Sequence, residues 1–308
     1  MRASLPVLLL AAALATGWLG ACGAAPGSGW WAVDRGAGCV LRLDAELIVR
    51  ERMSLPGVER ALTHAGRTWL ATGGERGELF TLEPRAPRHL WSAPGAILAL
   101  APAAGEGLLV LEGRAGAARR LWSVAPDGAA LLLGAFPDAH VLASDGAAVL
   151  VGGLGGRLVE LGAGGAQRAQ EHVPGGVRAL APGPRRGTWW LLAGGPAPRL
   201  ELRGAGLALV RGVLAGAAGS ALATDPERAQ VWLVAGDALW RHGLEGEAEA
   251  VLVLAQGPWS AAAATAEGVL LLAPGALLEV RARGASARVL RAQGGFAALS
   301  ALVPLSAP

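Results

Sequence analysis

Acid–base or metal chemistry needs histidines or carboxylates that converge, and nucleophilic chemistry needs a serine or cysteine held beside a base. The sequence offers five histidines, His64, His89, His140, His172 and His242, and two cysteines, Cys22 and Cys39. No serine lies in a Gly-x-Ser-x-Gly frame, so no nucleophile elbow is present. The glycine run "GGLGG" at 152–156 has the look of a phosphate loop, but it joins two predicted strands and opens no helix, so it reads as a tight turn. What these residues can do depends on which of them the fold brings together.

The chain has 308 residues, 53% of them hydrophobic and 17% charged, ample material for a core. Its 47 glycines and 19 prolines fall between apolar runs, the punctuation of many short strands. Every strong base is arginine. The net charge is only +3, and the pI of about 9.9 reflects the lack of groups titrating between His and Arg. Arginines alternate with Glu and Ala without a dense basic run, which argues against a nucleic-acid partner.

Self-similarity runs through the chain. Short turns ("LPG" 55–57, "APG" 93–95, "FPD" 136–138, "VPGG" 173–176) precede small-residue strands reading "RALTH", "LALAP", "VLASD", "RALAP", "ALATD" and "AAAAT". A second, strongly apolar strand follows, often with Trp ("TWLAT", "TWWLL", "VWLVA"), then a third carrying Arg or Glu and a fourth that runs back. Units begin near Val58, Ile97, His140, Val177, Ser220 and Ser260, about forty residues apart, the length of a four-stranded propeller blade. Six units leave two fragments. Residues 30–54 hold the second, third and fourth strands of a blade, and "FAALSALVP" (296–304) is a first strand with nothing after it. The expected fold is all-β: a seven-bladed propeller over 30–303, closed by pairing the chain's two ends, with 304–308 a tail past the last strand.

This register places the chemistry-bearing residues. Only His140 opens a first strand near the axial channel; the other histidines fall in turns or outer strands, so neither a histidine pair nor a zinc site is expected. No catalytic residue, metal or cofactor is assigned. Most of the eleven Trp recur at equivalent strand positions, as interblade packing requires. Turns between second and third strands share a face with the links between blades. In the first three blades they carry Asp34 and Arg35, Glu75 and Arg76, Glu112 and Arg114, a candidate recognition rim; in the other four they are mostly Gly, Pro and Ala.

"WWAVDRGAGCVLRLD" (30–44) resembles the blade pattern of NHL-type propellers, related in architecture to WD40-like ones; the later units have drifted from it. Propellers of this kind include binding scaffolds, outer-membrane assembly lipoproteins, lactonase-like hydrolases and lyases. The calcium ligands of the lactonase-like group include Asn, which this chain lacks. The fold alone does not choose among these; the charged rim and small-residue channel favour a non-catalytic protein-binding or assembly scaffold, with a metal-dependent hydrolase or lyase, or a glycan binder, as alternatives.

The first 21 residues have a basic Arg2, an apolar stretch from Leu5 to Ala15 and small residues before Cys22, the layout of a secretory signal. "LGAC" (19–22) resembles the lipobox of bacterial lipoproteins, which implies that Cys22 is acylated and begins the mature chain, with 22–29 a linker. The expected location is the cell envelope, anchored to a membrane by lipid, facing an extracytoplasmic space, with another envelope protein as partner; the oligomeric state is left open. Cys39 then has no partner and reads as a buried thiol. Replacing Cys22 by Ser is expected to release the protein from membranes or block its processing. Fractionation and the mass of the N-terminal peptide check this: an unchanged membrane fraction with no acyl mass on the wild type rejects the anchor.

Overall fold

Apolar runs of five to seven residues between Gly, Pro and Asp turns are too short for stable helices and suit extended pairing. The computed structural model describes residues 29–83, 86–114, 116–214, 219–225, 229–235, 238–243, 249–253, 261–265, 268–273, 275–283 and 286–305. Among these the chain forms 28 strands and one short 3-10 turn, Ala205–Leu207. The strands make seven four-stranded antiparallel sheets. Their inner strands are Leu299–Pro304, Val58–His64, Ala96–Pro102, Ala139–Ser144, Val177–Pro182, Gly219–Asp225 and Ala261–Thr265, succeeding one another around a common axis. This is the expected seven-bladed propeller; each of the six complete repeats begins within one residue of its predicted start, while the inner strand of blade 1 begins at Leu299, three residues after the expected 296.

The core is not one mass but a set of layers between neighbouring blades. Leu62, Trp69 and Ala71 of blade 2 pack on Ile97, Leu100 and Val110 of blade 3. Val141, Leu150 and Leu158 of blade 4 meet Leu180, Trp189 and Leu191 of blade 5. Second strands are covered on both faces, which is why they read as continuous apolar runs; Leu108–Gly113 and Ala148–Gly153 are buried throughout. Inner strands crowd about the axis and bury alanine instead: Ala99, Ala101, Ala143, Ala179, Ala181 and Ala223. Each described Trp is buried or half-buried, as the packing role requires. Cys39 is a free, buried thiol whose pKa burial pushes up.

Tight links between blades set the backbone conformation. At Gly176, between blades 4 and 5, φ is +83° and a Cβ would lie 2.2 Å from the Leu154 carbonyl oxygen, so the "VPGG" link admits no side chain there.

Blade 1 is completed from both ends of the chain. Its inner strand Leu299–Pro304 pairs with Trp30–Asp34, from Trp30 opposite Pro304 to Asp34 opposite Leu299. The pairing runs past the expected boundary at 304: Leu305 N–H donates to the Gly29 carbonyl (3.0 Å), and Thr63 Oγ1 donates to the Pro304 carbonyl (2.9 Å). Pro304 thus belongs to the strand, and Leu305 just past it is tied to Gly29 by one backbone hydrogen bond.

Deleting 296–308 removes the inner strand of blade 1 and leaves Trp30–Asp34 with an unpaired edge at the axis. Each buried backbone group left without a partner costs ~1–3 kcal/mol, and a few such losses rival a domain's whole stability of ~5–15 kcal/mol. The truncated protein is expected to aggregate or to melt far below wild type in a thermal scan. Deleting only 304–308 removes the Trp30–Pro304 pair and the two bonds above, and is expected to cost ~1–3 kcal/mol. A long truncation that melts like wild type rules out the clasp.

Candidate functional site

The face that carries the interblade links and the turns between second and third strands, here the upper face, holds the charged residues singled out in the sequence. The six do not act alike. Asp34 is fully buried. Its carboxylate accepts from the N–H groups of Ala298 (2.8 Å), Ala297 (2.9 Å) and Ala37 (3.2 Å), while Arg35 N–H donates to the Ala298 carbonyl. Asp34 is therefore the latch of the clasp and not a recognition group. Gly36 lies against the same segment, where a Cβ would come within 2.8 Å of the Ala297 Cβ.

Glu112 is also spent internally. At 1% exposure it accepts from Arg120 Nε (2.8 Å) and Nη2 (3.0 Å), with Trp122 Nε1 at 3.4 Å. A charge at the end of a strand looks like rim in a sequence. Here its partner comes from the next strand, where Arg120 pairs with Glu112 in the sheet register.

The other four are exposed: Arg35, Glu75, Arg76 and Arg114. Three of them line a cleft of about 460 Å³ between blades 2 and 3, with Pro94, Ala96 and Gly113 completing its walls. Arg114 Nε donates to the Pro94 carbonyl, which fixes its stem to one wall. Among the described residues the side chains of Glu75 and Arg76 make no ion pair or hydrogen bond. Blades 4 and 5 show no comparable free charge in these turns. Arg157 bonds Gln170 (2.9 Å) and Arg199 pairs with Glu201 (3.1 Å), while Asp237 lies outside the described residues. Cys22 lies outside them too.

His140 sits where the sequence places it, at the start of the blade 4 inner strand, but in a specific device. The register skips one residue there: Ala139 faces Gly153 and Val141 faces Gly152, so His140 is the extra residue of a β-bulge. The same skip occurs at Ser300, Glu59, Leu98, Arg178 and Ser220 in blades 1, 2, 3, 5 and 6. In six of the seven blades one residue is thus freed from the ladder near the upper mouth of the axis. Both ring nitrogens of His140 are buried without a hydrogen-bond partner, and burial, reinforced by Arg178, pushes its pKa down to about 4. His140 is neutral at pH 7. Among the described residues no three His, Cys, Asp or Glu side chains are grouped to hold a metal ion.

Sequence reading missed a buried ion cluster under blades 4 and 5. Arg203 donates to both Glu201 (2.6 Å) and Glu171 (2.6 Å) and to the Leu207 carbonyl, while Glu160 accepts from Gly206 N–H. The cluster braces the Ala205–Leu207 turn and is structural. The string "RLELR" gives its members but not their burial.

No protein-family model matches the chain, and no curated protein matches it either. Solved structures do. A chain of a nidogen/laminin complex is 11% identical, with a TM-score of 0.58 over 78% of this chain and 98% of that one. KlHsv2 with loop 6CD replaced by a Gly-Ser linker is 8% identical, with a TM-score of 0.64 over 86% and 97%. Apo AztD from Citrobacter koseri is 12% identical, with a TM-score of 0.62 over 90% and 98%. At such identities the likeness establishes the fold: the chain is a seven-bladed β-propeller, a scaffold class that by itself does not select a function.

The latch yields a pH dependence. Burial alone would raise the Asp34 carboxyl, but the backbone donors, Ala298 first, outweigh it and hold the group below the ordinary aspartate value. A pKa lower in the folded state contributes stability above the unfolded value, ~3.9, which is lost as pH falls through the folded value. The wild type is therefore expected to lose stability below about pH 4 more steeply than Asp34→Asn. Asp34→Ala, which strands buried N–H donors, is expected to cost ~3 kcal/mol at pH 7. Urea titrations at pH 7 and pH 3 check both.

Proposed function

We propose that this chain is a lipid-anchored propeller of the cell envelope that binds another protein on its upper face, across blades 2 and 3, without catalysing a reaction on it. The observation that carries the reading is the cleft lined by Glu75, Arg76 and Arg114, where among the described residues the Glu75 and Arg76 side chains make no ion pair or hydrogen bond. Small-molecule pockets are mostly apolar, with few polar groups. This cleft has charged residues on exposed turns at its lip, as does the polar rim of a protein interface. Such charges raise association rates and select partners by complementarity more than they add affinity. The chain from a nidogen/laminin complex gives the fold a precedent in a protein assembly. Cys22, eight residues before the first strand at Trp30, would hold the propeller close to the membrane surface.

Crosslinking in intact cells, with the captured partner identified by mass, tests the proposal when run beside the triple variant Arg35→Ala, Arg76→Ala, Arg114→Ala. Capture is expected to fall at least about tenfold, since charge-assisted contacts contribute ~1.5–3 kcal/mol each. Thermal stability is expected to change by less than ~1 kcal/mol, because exposed charges contribute little to folding. Equal capture by variant and wild type would return these residues to an ordinary solvated rim.

A further inference from the structure

The repeat contains one residue that breaks its own packing rule. Counting from the bulge, the next inner-strand position is Ala301 in blade 1, Ala99 in blade 3, Val141 in blade 4, Ala179 in blade 5 and Ala221 in blade 6. All five are buried, and each joins the apolar layer toward the following blade. In blade 2 that position is Arg60. Its side chain turns the same way, toward blade 3, where Nε donates to the Ile97 carbonyl at 3.1 Å. Ile97 follows Ala96, a wall of the cleft, so Arg60 is tied to the seam between blades 2 and 3 one residue from that wall, though it does not line the cleft itself.

A guanidinium carries five N–H donors in a planar fork, and Arg60 uses one. Its terminal nitrogens have no hydrogen bond and no carboxylate within ion-pair distance among the described residues. The neighbouring Glu59 carboxylate attracts it without pairing, and Arg35 repels it. Burial holds the Arg60 pKa below its ordinary value. An arginine half-buried in an apolar seam, with its bidentate edge unused, is a costly residue for packing alone, since the same position accepts alanine in four other blades. The geometry fits a planar or tetrahedral oxyanion, which would take both terminal nitrogens at once.

We infer that Arg60 is the anchor of an oxyanion site in the seam between blades 2 and 3, taking a small carboxylate or phosphate. The site does not rest on the protein-binding reading of the outer cleft.

The test titrates sodium succinate and sodium phosphate separately into the purified chain, with sodium chloride balancing ionic strength, read by calorimetry and by the melting temperature. At least one oxyanion is expected to bind saturably and raise the melting temperature where chloride does not; the better of the two identifies the chemistry. Arg60→Gln is expected to weaken binding about tenfold or more and, without oxyanion, to melt no lower than wild type, because an unpaired charge has been removed. Arg60→Lys keeps the charge but loses the fork and is expected to bind at an intermediate level, which preserves the test if the Gln variant misfolds. The Arg35, Arg76 and Arg114 triple variant is expected to retain saturable binding, which separates this site from the cleft. No response beyond chloride, or an equal response in wild type and both Arg60 variants, overturns the inference.

Discussion

A sheet that ends in an unpaired strand at the centre of a crowded ring has nowhere to place its backbone donors and acceptors, and this constraint governs the rest of the molecule. Six blades meet it with contiguous chain, each strand pairing with the next in sequence. The seventh meets it only by bringing Leu299–Pro304 back to Trp30–Asp34. Closing so long a loop adds little entropy cost beyond a short one, because the cost grows only with the logarithm of length. It must still be held, and Asp34 holds it by accepting N–H groups from residues 263 and 264 positions away. A carboxylate is well suited here, since it can accept several donors that a turn leaves without partners.

Once the ring is closed, the interblade layers form as repeated copies of one solution, and the bulge near the start of the inner strand becomes the place where copies can differ. A residue freed from the ladder packs less rigidly than its neighbours, so it can be Ser, Glu, Leu, His or Arg without disturbing the layers below. The second strands below stay apolar while Ser300, Glu59, Leu98, His140, Arg178 and Ser220 vary around the upper mouth. Stability and individuality are thereby carried by different residues of the same strand.

That separation also explains what the sequence could convey. Blade count, blade starts and ring closure were legible because they depend on period, apolarity and turn residues, all local quantities. The roles of Asp34 and Glu112 were not. Each sits at the end of a second strand, as a solvated charge does, and only distant Ala297 and Ala298, or Arg120 across the hairpin, show that the charge is consumed. His140 was placed in the right strand, but its bulge and its unpartnered nitrogens depend on the pairing register.

Arg60 shows how fine that dependence is. By eye, "RALTH" at 60 and "RALAP" at 178 align arginine with arginine, and the two look like the same feature of the repeat. The register differs by one: Arg178 is the bulged residue of blade 5, whereas Arg60 follows the bulged Glu59 of blade 2. Side chains alternate along a strand, so this single step separates an arginine exposed near the channel mouth from one turned into an apolar seam. Compositionally the two strands are alike; physically, Arg178 is exposed and Arg60 is half-buried. The repeat excludes a charge from that position elsewhere; here its partial burial is offset by the hydrogen bond to Ile97 and the attraction of Glu59, and the fork of terminal nitrogens is left for a further partner.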